Sequence, residues 1–185
     1  SADYDTWAQL GCRGWSWDDL LPYFKRAESR VGGSDEVRGR SGPLSIEDQG
    51  DPHDLSDAFM AANEALGLKR SPDYNGGDQE GTMLYQQMMK RGRRWSPVDA
   101  YLRPAMSRQN LKVITRALVE RIDLEGKRAV GVTYRQGGQS RTIRARRDVI
   151  LSGGAINTPQ LLQISGIGNP EDLAAIGVAA KHALP

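Results

Sequence analysis

The sequence predicts an α+β chain: a helical, loop-rich N-terminal part, then an antiparallel β-meander leading into a strand–turn–helix. Three observations carry that reading. Clear helix-start signals stand in the first hundred residues. Short β-branched runs separated by turn residues fill positions 111–151. A glycine turn, "LSGGA" at 151–155, then joins the last run to a helical pattern. The boundary falls near residue 110, giving parts 1–110 and 111–185.

The helices are written in their caps. Ser16-Trp17-Asp18-Asp19 precedes "LLPYFKRAES", an N-cap with a carboxylate three residues on. Pro22 lies past the first turn and is expected to split or kink that helix. "DLSDAFMAANEALG" sets Leu55, Ala58, Phe59, Ala62 and Leu66 at helical spacing and stops at Gly67. Ser96-Pro97-Val98-Asp99 opens another helix with proline at its first position. Thr158-Pro159 and Asn169-Pro170 repeat that signal, and the last helix stops at Gly177. The strands follow from "LKVIT", "LVERI", "AVGVTY", "RTIRA" and "DVIL", joined by the turn-like "LEGKR" and "RQGGQS". Links this short make neighbouring strands antiparallel.

Composition excludes several classes. With 38% hydrophobic and 26% charged residues the chain is globular, not disordered. No apolar run approaches the ~18 residues of a membrane span. A cytoplasmic location is the expectation, with peripheral membrane association of the parent protein as the alternative. The single cysteine, Cys12, excludes an internal disulfide and any multi-cysteine metal site. His53 and His182 stand far apart and outside any ligand motif, so no metal is expected. Net charge is +2, too small to argue for nucleic acid. Its distribution is uneven: residues 1–115 carry 15 basic and 17 acidic side chains, residues 116–185 carry 10 and 6. Much of the excess lies in "SRTIRARRD". On a strand, Arg144 and Arg146 share one face while Arg141 and Arg147 share the other. This reads as a solvated edge strand, with a binding surface for an acidic partner as the alternative.

The chemical candidates are few. Ser152 follows an apolar run, but "ILSGG" is not the G-x-S-x-G of a nucleophile elbow. Ser165 in "ISGIG" follows a helix, the wrong context. Glu47-Asp48 and Glu171-Asp172 are adjacent in sequence, so their side chains diverge on a strand or a helix. Trp7, Trp15, Trp17 and Trp95 are expected in packing, as are the methionines of "MLYQQMM". The glycine turn suits either a structural bend or the close approach of a phosphate. No G-x-G-x-x-G accompanies it, so the turn alone does not specify a dinucleotide.

"GAINTPQLLQISGIG", residues 154–168, pairs Gly154-Ala155, Thr158-Pro159, Leu161-Leu162 and Ser165-Gly166-Ile167-Gly168. This resembles the second signature of the glucose–methanol–choline (GMC) flavin oxidoreductases. The resemblance extends to "ADYDTWAQLGCRGWSWDDLLPYFKRAES", "DYNGGDQEGTMLYQQMMKRGRRWSPVDAYLRP" and "NLKVITRALVERIDLEGKRAVGVTY", covering essentially the whole chain. Met83 and Met88 depart from the family's glycine and threonine, so substrate identity does not carry over.

What the resemblance implies is specific. The fold is part of an α/β flavoprotein, with 1–110 in the substrate-binding lobe and 111–185 in the flavin lobe. The activity is oxidation of an alcohol to a carbonyl by hydride transfer to flavin adenine dinucleotide (FAD). Val119 matches the valine whose backbone meets the adenine, and Ser152, Gly153, Gly154 and Ala155 match the turn beside the adenosine-side phosphate and ribose. Tyr85 and Gln87, alternating with Gln86, are candidates to face the alcohol. The family's G-x-G-x-x-G turn is expected upstream of Ser1 and its catalytic histidine beyond Pro185. No catalytic residue is therefore assigned. The 185 residues read as a central fragment, inactive alone, binding FAD weakly or not at all. Their expected partners are a small-molecule alcohol and the missing parts of the same enzyme, with self-association of the fragment through the surfaces those parts would cover.

Overall fold

The computed structural model describes residues 2–184, which form two compact units, Ser1–Leu111 and Lys112–Pro185. In the first unit, α1 (Ala2–Gln9) and α2 (Trp17–Ala27) pack through aromatic rings. Tyr4 meets Trp7 edge-on at 5.4 Å, Trp17 at 6.1 Å and Phe24 at 5.6 Å. The start of α2 is fixed by the expected cap. Ser16 Oγ accepts the Asp19 N–H, and Asp19 Oδ2 accepts the Ser16 N–H, each at 3.3 Å. Pro22 sits inside α2, which runs through it without being split. Its missing N–H forfeits one bond, to the exposed Asp18 in the first turn, where the carbonyl is free to tilt toward water.

The strands β1 (Glu28–Arg30) and β2 (Leu44–Ile46) pair in parallel. Then α3 (Asp54–Ala65) begins on His53, whose Nδ1 accepts the Leu55 N–H at 3.1 Å. The expected apolar face of α3 is not the buried one. Met60 is buried and Ser56 and Asn63 are half-buried, whereas Leu55, Phe59 and Leu66 are exposed. The 100° step between residues sets those two stripes on different faces, and this unit covers only the narrower one. The hairpin β3 (Met89–Lys90) and β4 (Arg93–Arg94) follows. Asp99 Oδ2 then accepts the Ser96 N–H at 3.1 Å and the Ser96 hydroxyl at 2.7 Å at the start of a π-helical turn, Val98–Leu102, that runs into α4 (Arg103–Ala105).

The second unit is built on an antiparallel meander of β5 (Leu118–Glu125), β6 (Arg128–Gln136) and β7 (Gln139–Arg144). One face carries Val119, Ile122, Val132, Tyr134 and Ile143; the other carries charged and hydroxyl side chains. Residues 111–115 and 148–151, both expected as strands, make no ladder bonds among the described residues. A β-branched run becomes a strand only beside a neighbour that takes its N–H and C=O groups, and here neither run has one. The arginine stretch is likewise shorter than expected as a strand. β7 ends at Arg144, and Arg146 and Arg147 lie in a bend.

The helix α5 (Gly154–Ile164) starts four residues before the expected Thr158-Pro159. The Gly153 N–H donates to Thr158 Oγ1 at 3.0 Å, which closes the turn early. Pro159 then sits inside the helix and forfeits a bond only to the exposed Ala155. After it come β8 (Ile167–Gly168), α6 (Pro170–Ala175) and β9 (His182–Ala183). α6 begins as expected, with Asn169 Oδ1 accepting the Glu171 N–H at 2.8 Å.

Candidate functional site

The "SGIG" end of α5 ties three elements together. Ser165 is 2% exposed; its Oγ accepts the Ile122 N–H of β5 at 2.8 Å and donates to the Leu161 carbonyl at 2.6 Å. Gly166 has φ +88°, and a Cβ there would lie 2.7 Å from the Ala179 carbonyl. Its own carbonyl accepts N–H groups of Lys181 and His182 at 2.7 and 3.0 Å, beginning the parallel β8–β9 pair. The motif therefore locks helix, meander and chain end into one body. His182 serves in that pair, as His53 serves as a cap.

Above this lock lies an open cleft of about 750 Å³. Its walls are the apolar face of the meander (Val119, Val132, Ile143), the run Val149–Leu151, and α5 with its preceding turn (Ser152, Gly153, Asn157). Of the expected adenosine-side residues, Val119, Ser152 and Gly153 line this one cleft. Gly154 and Ala155 form the first turn of α5 beside it. Gly154 takes φ +85°, a conformation glycine adopts without penalty. Gly153 at the N-cap has no side chain to accept a bond, so among the described residues the first-turn N–H groups of α5 lack a side-chain acceptor. Ile150 is 85% exposed, an unusual setting for an isoleucine between two apolar neighbours.

These residues fit one end of FAD and not the other. An apolar slot suits a purine ring, and an uncapped helix start preceded by glycine suits a phosphate. In the arginine stretch, Arg144 pairs with Glu125 at 2.7 Å, while Arg141, Arg146 and Arg147 are exposed. Among the described residues, no group of His, Cys, Asp and Glu side chains is placed to hold a metal ion, and no helix is long and apolar enough to cross a membrane.

In the first unit, Tyr85 and Gln87 are both exposed, while Gln86 between them turns inward. Gln87 exchanges backbone bonds with Glu47 at 2.9 Å each way, and Tyr85 meets Tyr74 edge-to-face at 5.5 Å. Sequence reading missed what Gln86 touches. Arg38, 4% exposed, donates from Nη1 to Glu28 at 2.8 Å, from Nε to Asp73 at 2.9 Å, and from Nη2 to both Asp73 and Gln86. Gln86 Nε2 returns to Asp73 at 3.0 Å. Burial alone would push the Asp73 carboxyl up; hydrogen bonds from Arg38 and Gln86 and the guanidinium charge outweigh it and hold the group at about 2. Arg38 stands in the glycine-rich loop "VGGSDEVRGRSGPL", where no periodicity marks it.

Comparison with known proteins settles the family. The family model described as GMC oxidoreductase matches residues 1–181. The chain belongs to the GMC oxidoreductase family. It is 45% identical over 183 residues to the mitochondrial choline dehydrogenase of Homo sapiens, covering 99% of this chain and 31% of that protein. It is 46% identical over 176 residues to the oxygen-dependent choline dehydrogenase of Brucella anthropi, covering 95% and 32%. Among solved structures, pyridoxine 4-oxidase from Mesorbium loti superposes with a TM-score of 0.89 at 34% identity, covering 100% of this chain and 36% of that one. An FAD-dependent oxidoreductase from Chaetomium thermophilum superposes at 0.86 and 30% identity, covering 99% and 34%. The chain thus spans about a third of the length of the relatives it matches.

Proposed function

We propose that this chain is the central part of an FAD-dependent enzyme that oxidises an alcohol CH–OH to a carbonyl. The observation that carries the reading is the cleft joining Val119 to the Ser152–Gly153 turn and the uncapped start of α5. Val119 and its apolar neighbours would hold the adenine. Ser152, Gly153, Gly154 and Ala155 would pass beside the adenosine-side ribose and phosphate, with glycine permitting close backbone approach. Bound flavin supplies the hydride acceptor. This chain's own residues bind and orient; none moves a proton at the reacting carbon.

Residues 1–110 belong to the substrate lobe, with Tyr85 and Gln87 facing the alcohol, and residues 111–185 to the flavin lobe. The substrate is a small alcohol, the class to which choline, named for the relatives, belongs; Met83 and Met88 leave its identity open. The remaining cofactor grip and the catalytic base come from further segments of the same enzyme, and its location is cytoplasmic. The 185 residues alone bind FAD weakly and do not turn over. The test is native purification of the full-length protein beside its Val119→Glu variant. The reading expects flavin in the first and much less in the second at a similar Tm. Equal flavin in both would overturn the assignment of the cleft.

A further inference from the structure

Among the described residues only two arginines are buried, and Arg38 is the one whose guanidinium is bonded through all three nitrogens. Its partners come from three separate segments: Glu28 at the start of β1, Asp73 in the loop before residue 81, and Gln86. Two of the three adjoin tyrosines. Asp73 precedes Tyr74, and Gln86 follows Tyr85. The two rings, Tyr74 half-buried and Tyr85 exposed, meet edge to face at 5.5 Å. Exposure alternates along residues 85–87: Gln86 is half-buried and held by Arg38 and Asp73, while Tyr85 and Gln87 on either side of it are exposed.

We propose that Arg38 is a positioning residue for substrate selectivity. Through Asp73 and Gln86 it sets the aim of the Tyr74–Tyr85 pair and of Gln87. The inference rests on the reading above that Tyr85 and Gln87 face the alcohol. A guanidinium suits this task because its planar fork fixes the direction of several acceptors at once, which a lysine ammonium does not. Stability alone does not demand such a group, since a buried ion pair is often matched by well-packed apolar residues of similar volume.

The experiment uses the full-length protein with Arg38→Lys and Gln86→Leu. Both variants are expected to raise KM by about tenfold, with kcat within about twofold, the signature of lost ground-state positioning. The increase is expected to differ between a slim and a bulky alcohol. Hydrogen exchange of residues 83–88 should quicken while that of β5–β7 stays as in the wild type. Unchanged exchange at 83–88 overturns the positioning itself. Faster exchange with unchanged KM and selectivity overturns the substrate role and leaves Arg38 a structural tie. A wild-type protein without flavin or alcohol oxidation overturns the proposed function, and with it the substrate role, whatever exchange shows.

Discussion

Replacing Ser165 with alanine removes one oxygen, yet the structure makes it costly. The hydroxyl is the acceptor for the Ile122 N–H at 2.8 Å, and Ile122 is 3% exposed. Without Ser165 Oγ that N–H is orphaned away from water, at a cost of about 1–3 kcal/mol. The Leu161 carbonyl is not orphaned, because it keeps the Ser165 backbone N–H at 3.2 Å. The expected loss is therefore about 2 kcal/mol, which for a chain of this size lowers Tm by about 4–8 °C. Thermal unfolding measures the loss, and amide exchange locates it: the Ile122 N–H should exchange faster before its β6 neighbours do. A loss below about 0.5 kcal/mol with unchanged Ile122 exchange would refute the view that this serine pins the meander to α5.

Other expectations follow from particular residues. Because the Asp73 carboxyl is held at about 2 in the folded chain, below the ~3.9 of an unfolded aspartate, its contribution is fully present above about pH 5 and is lost as pH falls toward 2. It is worth about 2 kcal/mol, so Asp73→Asn should flatten the acid limb of a stability–pH curve measured by denaturant unfolding. Gly154→Ala and Gly166→Ala should differ. The first meets open space and carries only left-handed strain of about 1 kcal/mol; the second adds the clash with the Ala179 carbonyl and should cost clearly more. Equal losses by chemical denaturation would contradict the β8–β9 geometry. Expressed alone, the 185 residues should self-associate through exposed apolar groups such as Leu55, Phe59, Ile150 and Ile156. A strict monomer in the ultracentrifuge at all concentrations would count against that.

What was legible in the sequence was chiefly local. Ser16 with Asp19, Ser96 with Asp99 and Asn169 with Glu171 each complete their bonds within three residues, so a linear reading finds them. β5, β6 and β7 were legible for the same reason, being joined by short turns. Residues 148–151 carry the composition of a strand but not the neighbour that makes one, and composition does not report neighbours. Pro159 misled because its cost depends on where the Ala155 carbonyl points, which sequence does not state. The Arg38 cluster was invisible for a different reason. Its partners lie 10, 35 and 48 residues away, and nothing repeats at those intervals. The chain-wide family resemblance, not the 154–168 signature, singled out Val119, Ser152 and Gly153. The structure adds that these three line one cleft, and that the signature's Ser165 ties α5 to β5 through the Ile122 N–H.

The central claim is that this chain forms part of an FAD-dependent alcohol oxidoreductase, and one spectrum tests it directly. The full-length protein is purified without added cofactor, and its visible absorption is recorded anaerobically before and after a primary alcohol such as choline is added. The account predicts the absorption of oxidised flavin, bleached by the alcohol and restored by air or an artificial acceptor. A colourless protein, or a flavin that no alcohol bleaches, would contradict it.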